Sequence, residues 1–235
     1  MRQLPLAMRL RERAVFDSFV AGGNTQVLVQ LQAMACGGQP RVGWLYGATG
    51  SGKSHLLQAS CTRALEAGRA ASYLPLSQLR EFGPDVLQGW SDAAFVALDE
   101  LPAVVGQREW EQALFALYQA SEERGATLLA AAAVPAAQLP FALPDLASRF
   151  ASALPLSVQA LDERAQRQAL QWRARARGLE LPEQSARYLQ RHFRRDLPTL
   201  CRLLDTIDTA ALQAQRRLTV PFIREVLALS PPRAG

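Results

Sequence analysis

Residues 42–55 read Val42-Gly43-Trp44-Leu45-Tyr46-Gly47-Ala48-Thr49-Gly50-Ser51-Gly52-Lys53-Ser54-His55. The first five predict a strand, and Gly47 to Ser54 fits G-x-x-x-x-G-K-[ST]. His55-Leu56-Leu57-Gln58-Ala59 reads as the first turns of a helix. Strand, glycine-rich turn and helix in that order describe a phosphate-binding loop. Its glycines let successive N–H groups curl toward phosphate oxygens, and the helix start adds a fixed positive partial charge. Lys53 is placed to reach β- and γ-phosphates, and the Ser54 hydroxyl to ligate magnesium. Lys53 is also the only lysine among 26 basic residues. A chain otherwise built on arginine keeps an ammonium where a compact point charge suits better than a planar guanidinium.

A second stretch, Phe95-Val96-Ala97-Leu98-Asp99-Glu100, lies about 45 residues beyond Ser54. Four apolar residues in a row predict a strand buried on both faces, as a parallel sheet requires. Asp99 falls at its carboxyl end, where open α/β sheets bind ligands. Beside a phosphate loop this pair reads as a Walker B motif. Asp99 would hold magnesium through water, and Glu100 would polarise an attacking water.

Around these two motifs the chain alternates. An amphipathic helix covers 25–35, and strands are expected at 71–74, 127–133 and 153–156. Helices are expected from the phosphate loop to 67, and over 84–88, 109–123 and 143–150. Trp110, Leu114, Leu117 and Tyr118 recur at helical spacing and read as core. Such alternation predicts a parallel five-stranded sheet between helices, in a base domain spanning 13–158. Beyond Leu161 strand signals stop. Asp162 caps a helix closed by Gly178, and three more follow: 183–193, 197–215 and 219–229, the last with Pro221 in its first turn. These make an all-α lid over 159–229, ahead of a tail at 230–235 read as disordered.

Composition bounds the rest. With 235 residues, 49% of them apolar and 20% charged, the chain can bury a substantial core in one large or two smaller domains. A net charge of +5 and a pI near 9.6 permit contact with nucleic acid or acidic proteins. The arginines are spread with no block of like charge, so neither contact is demanded. Cys36, Cys61 and Cys201 are far apart and lack metal-ligand spacing, which predicts reduced, buried thiols in a cytosolic protein. Arg9, Arg11, Glu12 and Arg13 interrupt any early apolar segment, and the run 128–137 is too short to span a bilayer. A soluble protein is expected.

At the amino end, Gln3-Leu4-Pro5-Leu6-Ala7-Met8 should be extended, because Pro5 disfavours helix at Leu4. Residues 1–12 then form a separate extended segment. Such a string can dock in a groove that reads alternate side chains, or pack on its own domain. Spacing alone puts the second first. Arg149, read from spacing, is a surface arginine at the end of its short helix.

Phosphate loop, Walker B and helical lid together resemble the AAA+ ATPases. Phe16-x-x-Phe19-x-x-Gly22-x-Asn24, Leu143-Pro144-Asp145-Leu146-Ala147-Ser148-Arg149 and Arg195-Asp196-Leu197 are similar to the replication initiator DnaA and its shorter relatives. The initiator's DNA-binding domain has no counterpart after the lid. Gln3, Leu4, Leu6 and Met8 resemble a sliding-clamp-binding peptide, with Met8 where relatives often carry leucine or phenylalanine.

This resemblance implies regulatory inactivation of DnaA, preventing re-initiation of chromosome replication. The protein would bind the DNA-loaded polymerase III clamp (β) and stimulate hydrolysis of DnaA-bound ATP. It implies ADP or ATP with Mg2+ as cofactors, and DnaA and the clamp as partners, DNA being reached through the clamp. No membrane is involved, a homodimer is left open, and the location is the bacterial cytoplasm at the nucleoid. Arg149 falls on the family's arginine finger, offered in trans, and Arg195 on its sensor-2 position. A salt bridge from Arg195 to Asp196 or Glu183 is the rival for the latter. The nucleotide site thus comprises Gly47 to Ser54, His55, Asp99 and Arg195.

One departure matters. Relatives end their fourth strand with a polar sensor-1 residue, and here Ala133 stands at that position. Alanine can neither orient a water nor contact a γ-phosphate. Nucleotide binding is expected, with weak turnover by the protein itself. The alternative is a DNA-associated AAA+ ATPase of helicase-loader type with its own turnover, favoured by the intact Lys53, Asp99 and Glu100. A nucleic-acid-binding module rests only on the basic pI.

Overall fold

The computed structural model of the protein describes residues 14–193, 197–214 and 216–229. Five strands, β1 (Val42–Tyr46), β2 (Ala71–Pro75), β3 (Phe95–Asp99), β4 (Thr127–Ala132) and β5 (Leu154–Ser157), form one sheet in the order β2-β3-β4-β1-β5. Every pairing is parallel. All residues of β3 and β4 are buried, which is why they read as continuous apolar runs. The helices of this α/β part are α1 (Thr25–Ala35), α2 (Lys53–Glu66), α3 (Leu76–Leu79), α4 (Arg108–Glu123) and α5 (Pro144–Ala151).

Side chains alternate across the sheet, so each face has its own core. On one face Leu45, Phe95, Ala97, Leu129 and Ala131 pack with Leu56 and Leu57 of α2 and with Leu31 and Met34 of α1. On the other, Trp44, Val96, Leu98 and Ala130 meet Trp110, Leu114 and Leu117 of α4 and Phe150 of α5.

The lid helices are α6 (Glu163–Ala176), α7 (Glu183–His192), α8 (Leu197–Ala214) and α9 (Val220–Leu229). Asp162 caps α6, its Oδ1 accepting the Ala165 N–H at 2.7 Å. Leu170, Leu189, Leu200, Leu204, Ile207 and Ile223 form a core separate from the sheet's two. Arg177 ties α6 to α8 through Asp205 and Asp208. By contacts the chain divides between Gln159 and Ala160, with Val20–Gly23 grouped with the second unit.

The sequence reading differs from the structure in places. The segment after β2 carries the short helix α3 and 3-10 turns at Arg80–Phe82 and Pro84–Trp90, where a single short helix is expected. Strand β4 stops at Ala132, one residue early, and β5 starts at Leu154, one residue late. The expectation of buried thiols needs correcting: only Cys61 is buried, while Cys36 is exposed and Cys201 partly so. Burial pushes the Cys61 thiol up to about 12. Among the described residues no helix is long and apolar enough to cross a membrane.

Candidate functional site

Strand register gathers the motif residues at one edge of the sheet. Leu45 pairs with Ala131, and Leu98 with Ala130, so Asp99 ends β3 level with the end of β1. Strand β4 lies between them, which sets the phosphate loop and Asp99 two strand spacings, about 10 Å, apart. Ala133 follows β4 directly and is exposed, at the carboxyl end of the strand that lies between β3 and β1.

The loop's glycines are dictated by space. A Cβ on Gly47 would lie 2.3 Å from the Val158 carbonyl oxygen, too close for any side chain. Gly52 starts α2 at φ +99, and a Cβ there would meet the Phe19 ring at 2.6 Å. Within the loop, the Lys53 ammonium donates to the carbonyls of Gly47 at 2.7 Å and Ala48 at 3.0 Å. Burial lowers the Lys53 pKa, and the Asp99 charge opposes that shift, so the two groups feel one another. Ser51 is 3% exposed and its Oγ is buried without a hydrogen-bond partner. An orphaned hydroxyl in a glycine cradle fits a loop built to receive acceptor-rich oxygens. Among the described residues no group of three or more His, Cys, Asp or Glu could hold a metal. The Ser54 hydroxyl and Asp99 carboxylate are a hard-oxygen pair, suited to Mg2+ that keeps water and phosphate as its remaining ligands.

Asp99 is 3% exposed and held at both oxygens. Its Oδ2 accepts the Tyr73 hydroxyl at 2.7 Å and its Oδ1 accepts the Glu100 N–H at 2.9 Å. Glu100 takes the left-handed conformation at φ 55, sparsely populated by residues with a side chain. Its carboxylate accepts the Ser77 hydroxyl from α3. His55 turns to the chain's amino-terminal turn: its Nε2 lies 3.0 Å from Ser18 Oγ and 3.2 Å from the Val15 carbonyl, its ring beside Phe19.

Arg149 lies in the last turn of α5, half exposed. Its Nη1 donates to both Glu122 oxygens at 3.1 Å, and its guanidinium sits 5.6 Å from the Tyr118 ring centre. Burial raises the Tyr118 pKa, and Glu122 adds to the rise. Glu122 and Tyr118 are four residues apart on α4, so one helix face holds the arginine. A cavity of about 400 Å³ beside this pair opens at the opposite end of the sheet, where Val42 and Leu154 begin their strands. Gln3, Leu4, Leu6, Met8 and Arg195 lie outside the described residues.

Comparison with known proteins gives a family match for the helical part and a fold for the chain. Residues 162–227 match the family model described as Hda, lid domain. The chain superposes on domain III of the Thermotoga maritima replication initiation protein DnaA with a TM-score of 0.79. Identity is 18%, and 92% of this chain and 96% of that one are covered. AMPPCP-bound DnaA from Aquifex aeolicus matches at TM-score 0.69 and 18% identity, covering 87% and 68%. The Thermotoga maritima RuvB Holliday junction branch migration motor matches at 0.60 and 14%, covering 87% and 67%.

Residues 162–227 match the Hda lid family, on a chain with the fold of DnaA domain III.

Three residues beyond the motifs shape the candidate site, and sequence reasoning missed them. Tyr73 reaches Asp99 because it pairs with Ala97, two residues earlier on β3, and so shares a sheet face with the carboxylate. Glu111 is fully buried on α4. Its oxygens accept the N–H groups of Gly106, Ala142 and Leu143 at 2.7, 3.1 and 2.6 Å, fixing the start of the helix that carries Arg149. Asn24 is 1% exposed and its amide pairs with both the N–H and the C=O of Gln159, at 2.7 and 3.0 Å. Only Asn24 had a local signal, its place in the Phe16–Asn24 pattern.

Proposed function

We propose that this protein is an AAA+ regulator of the DnaA initiator, completing the ATPase site of its partner. The observation that carries the reading is the Hda lid match at 162–227 on a chain with the fold of DnaA domain III. In this reading Gly47 to Ser54, with Asp99, hold Mg2+ and an adenine nucleotide, ADP or ATP. The metal would draw negative charge from the phosphates. Lys53 already lies on the loop, bonded to two of its carbonyls, and a bound phosphate would exchange those contacts for charge-assisted ones. The nucleotide in the AMPPCP-bound Aquifex DnaA supports this choice of ligand class.

Arg149 acts in trans. Held through Nη1 by an exposed carboxylate, it is restrained by an ion pair worth no more than about 1 kcal/mol. An arginine offered to a transferring γ-phosphate is worth roughly 10³–10⁵ in rate, or about 4–7 kcal/mol. The partner's phosphate therefore outbids Glu122. Gln3, Leu4, Leu6 and Met8 bind the DNA-loaded clamp, which concentrates the regulator where replication has begun. Its own turnover is weak, because Ala133 offers no polar group beside the γ-phosphate.

The second reading, an ATPase of helicase-loader type, keeps Lys53, Asp99 and Glu100 in its favour. The two separate on two measurements: ATP consumption by the protein alone, and clamp pull-down by the wild type and a Gln3→Ala/Leu4→Ala form. The regulator predicts little consumption and a pull-down lost in the double variant. Robust DnaA-independent hydrolysis with unchanged pull-down supports the loader.

A further inference from the structure

Asp99 does not stand alone at the sheet edge. Tyr73 donates its hydroxyl proton to Asp99 Oδ2 at 2.7 Å, joining β2 to the carboxylate that ends β3. The Glu100 N–H holds the other carboxylate oxygen at 2.9 Å. Each oxygen keeps a free lone-pair direction, and rotation of the carboxylate is blocked.

We infer that Tyr73 is a positioning residue that orients Asp99 toward the Mg2+ of a bound magnesium–nucleotide. This inference rests on the nucleotide reading proposed above. A carboxylate that must meet a metal, directly or through water, gains from a fixed orientation. Outer partners of that kind are typically worth about 10–100-fold in metal affinity. A purely structural tyrosine would instead stabilise the sheet edge without regard to the metal.

The test is binding of a fluorescent ADP analogue to the full chain, with Mg2+ and with EDTA, for wild type, Tyr73→Phe and Asp99→Asn. Tyr73→Phe keeps the ring and removes only the hydroxyl. Wild type should bind more tightly with Mg2+ than with EDTA. Tyr73→Phe should lose about tenfold of that gain and keep its affinity in EDTA, approaching Asp99→Asn. Equal weakening of Tyr73→Phe in both media, or a full Mg2+ gain, overturns the positioning role. Wild-type binding that ignores Mg2+ overturns it while leaving the nucleotide reading intact. No wild-type binding in either medium removes both.

Discussion

Replacing Glu111 by glutamine should unsettle the arginine-bearing helix from a distance. The carboxylate is fully buried and accepts three backbone N–H groups, two of them at Ala142 and Leu143 where α5 begins. Glutamine has one acceptor oxygen. Placed where Oε1 stood, it keeps Gly106 and Ala142 but turns an NH2 group onto the Leu143 N–H. One orphaned buried donor costs about 1–3 kcal/mol, and the retained bonds lose their charge assistance. The sum, about 2–4 kcal/mol, should lower Tm by roughly 5–15 °C in a protein of this size. Thermal unfolding followed by circular dichroism measures it, with Glu109→Gln on the exposed face of the same helix as control. A Glu111→Gln form melting with wild type would refute the claim that this carboxylate anchors α5.

Gly47→Ala should lower stability by at least about 1–3 kcal/mol, because its Cβ would lie 2.3 Å from a backbone oxygen that cannot swing aside; an unchanged urea midpoint would contradict the packing. Glu122→Gln should shift Tm by under about 4 °C, the ion pair being exposed and worth at most about 1 kcal/mol, and should leave most trans stimulation in place; a loss as large as that of Arg149→Ala would mean the glutamate does more than restrain. The buried Cys61 thiol, pushed up to about 12, binds its proton in the folded chain after the unfolded chain has released it. Its contribution is therefore full below the unfolded thiol value and falls as pH rises from there toward 12. Urea midpoints should decline less steeply above pH ~8.5 in Cys61→Ala than in wild type; parallel slopes would dismiss the buried thiol as the cause.

The sheet was legible because its central strands are covered on both faces, so 95–98 and 128–132 show as unbroken apolar runs. Several helix ends were legible from glycine, with Gly68, Gly125 and Gly178 all at positive φ just past their helices. The strand, glycine-rich turn and helix around 47–54 were legible because the motif that places them falls within eight consecutive residues. Residues acting across the fold left no such trace. Glu111 resembles any solvated glutamate on an amphipathic helix until α5 is seen to start above it. Tyr73 lies 26 positions before Asp99 and meets it only through strand register. The hold of Glu122 on Arg149 requires α4 and α5 to pack side by side, a contact no local pattern encodes. The short helix at Leu76–Leu79 directly abuts β2, without the break that would announce a new element.

The central claim is that Arg149 completes a DnaA-bound ATP site in trans. It is tested most directly by single-turnover hydrolysis of labelled ATP already bound to DnaA, with clamp loaded on DNA, in the presence of wild type or Arg149→Ala. The account predicts conversion of DnaA-ATP to DnaA-ADP by wild type and loss of roughly 10³-fold or more of that acceleration in the alanine form. Equal acceleration by both forms, or by neither, would contradict it.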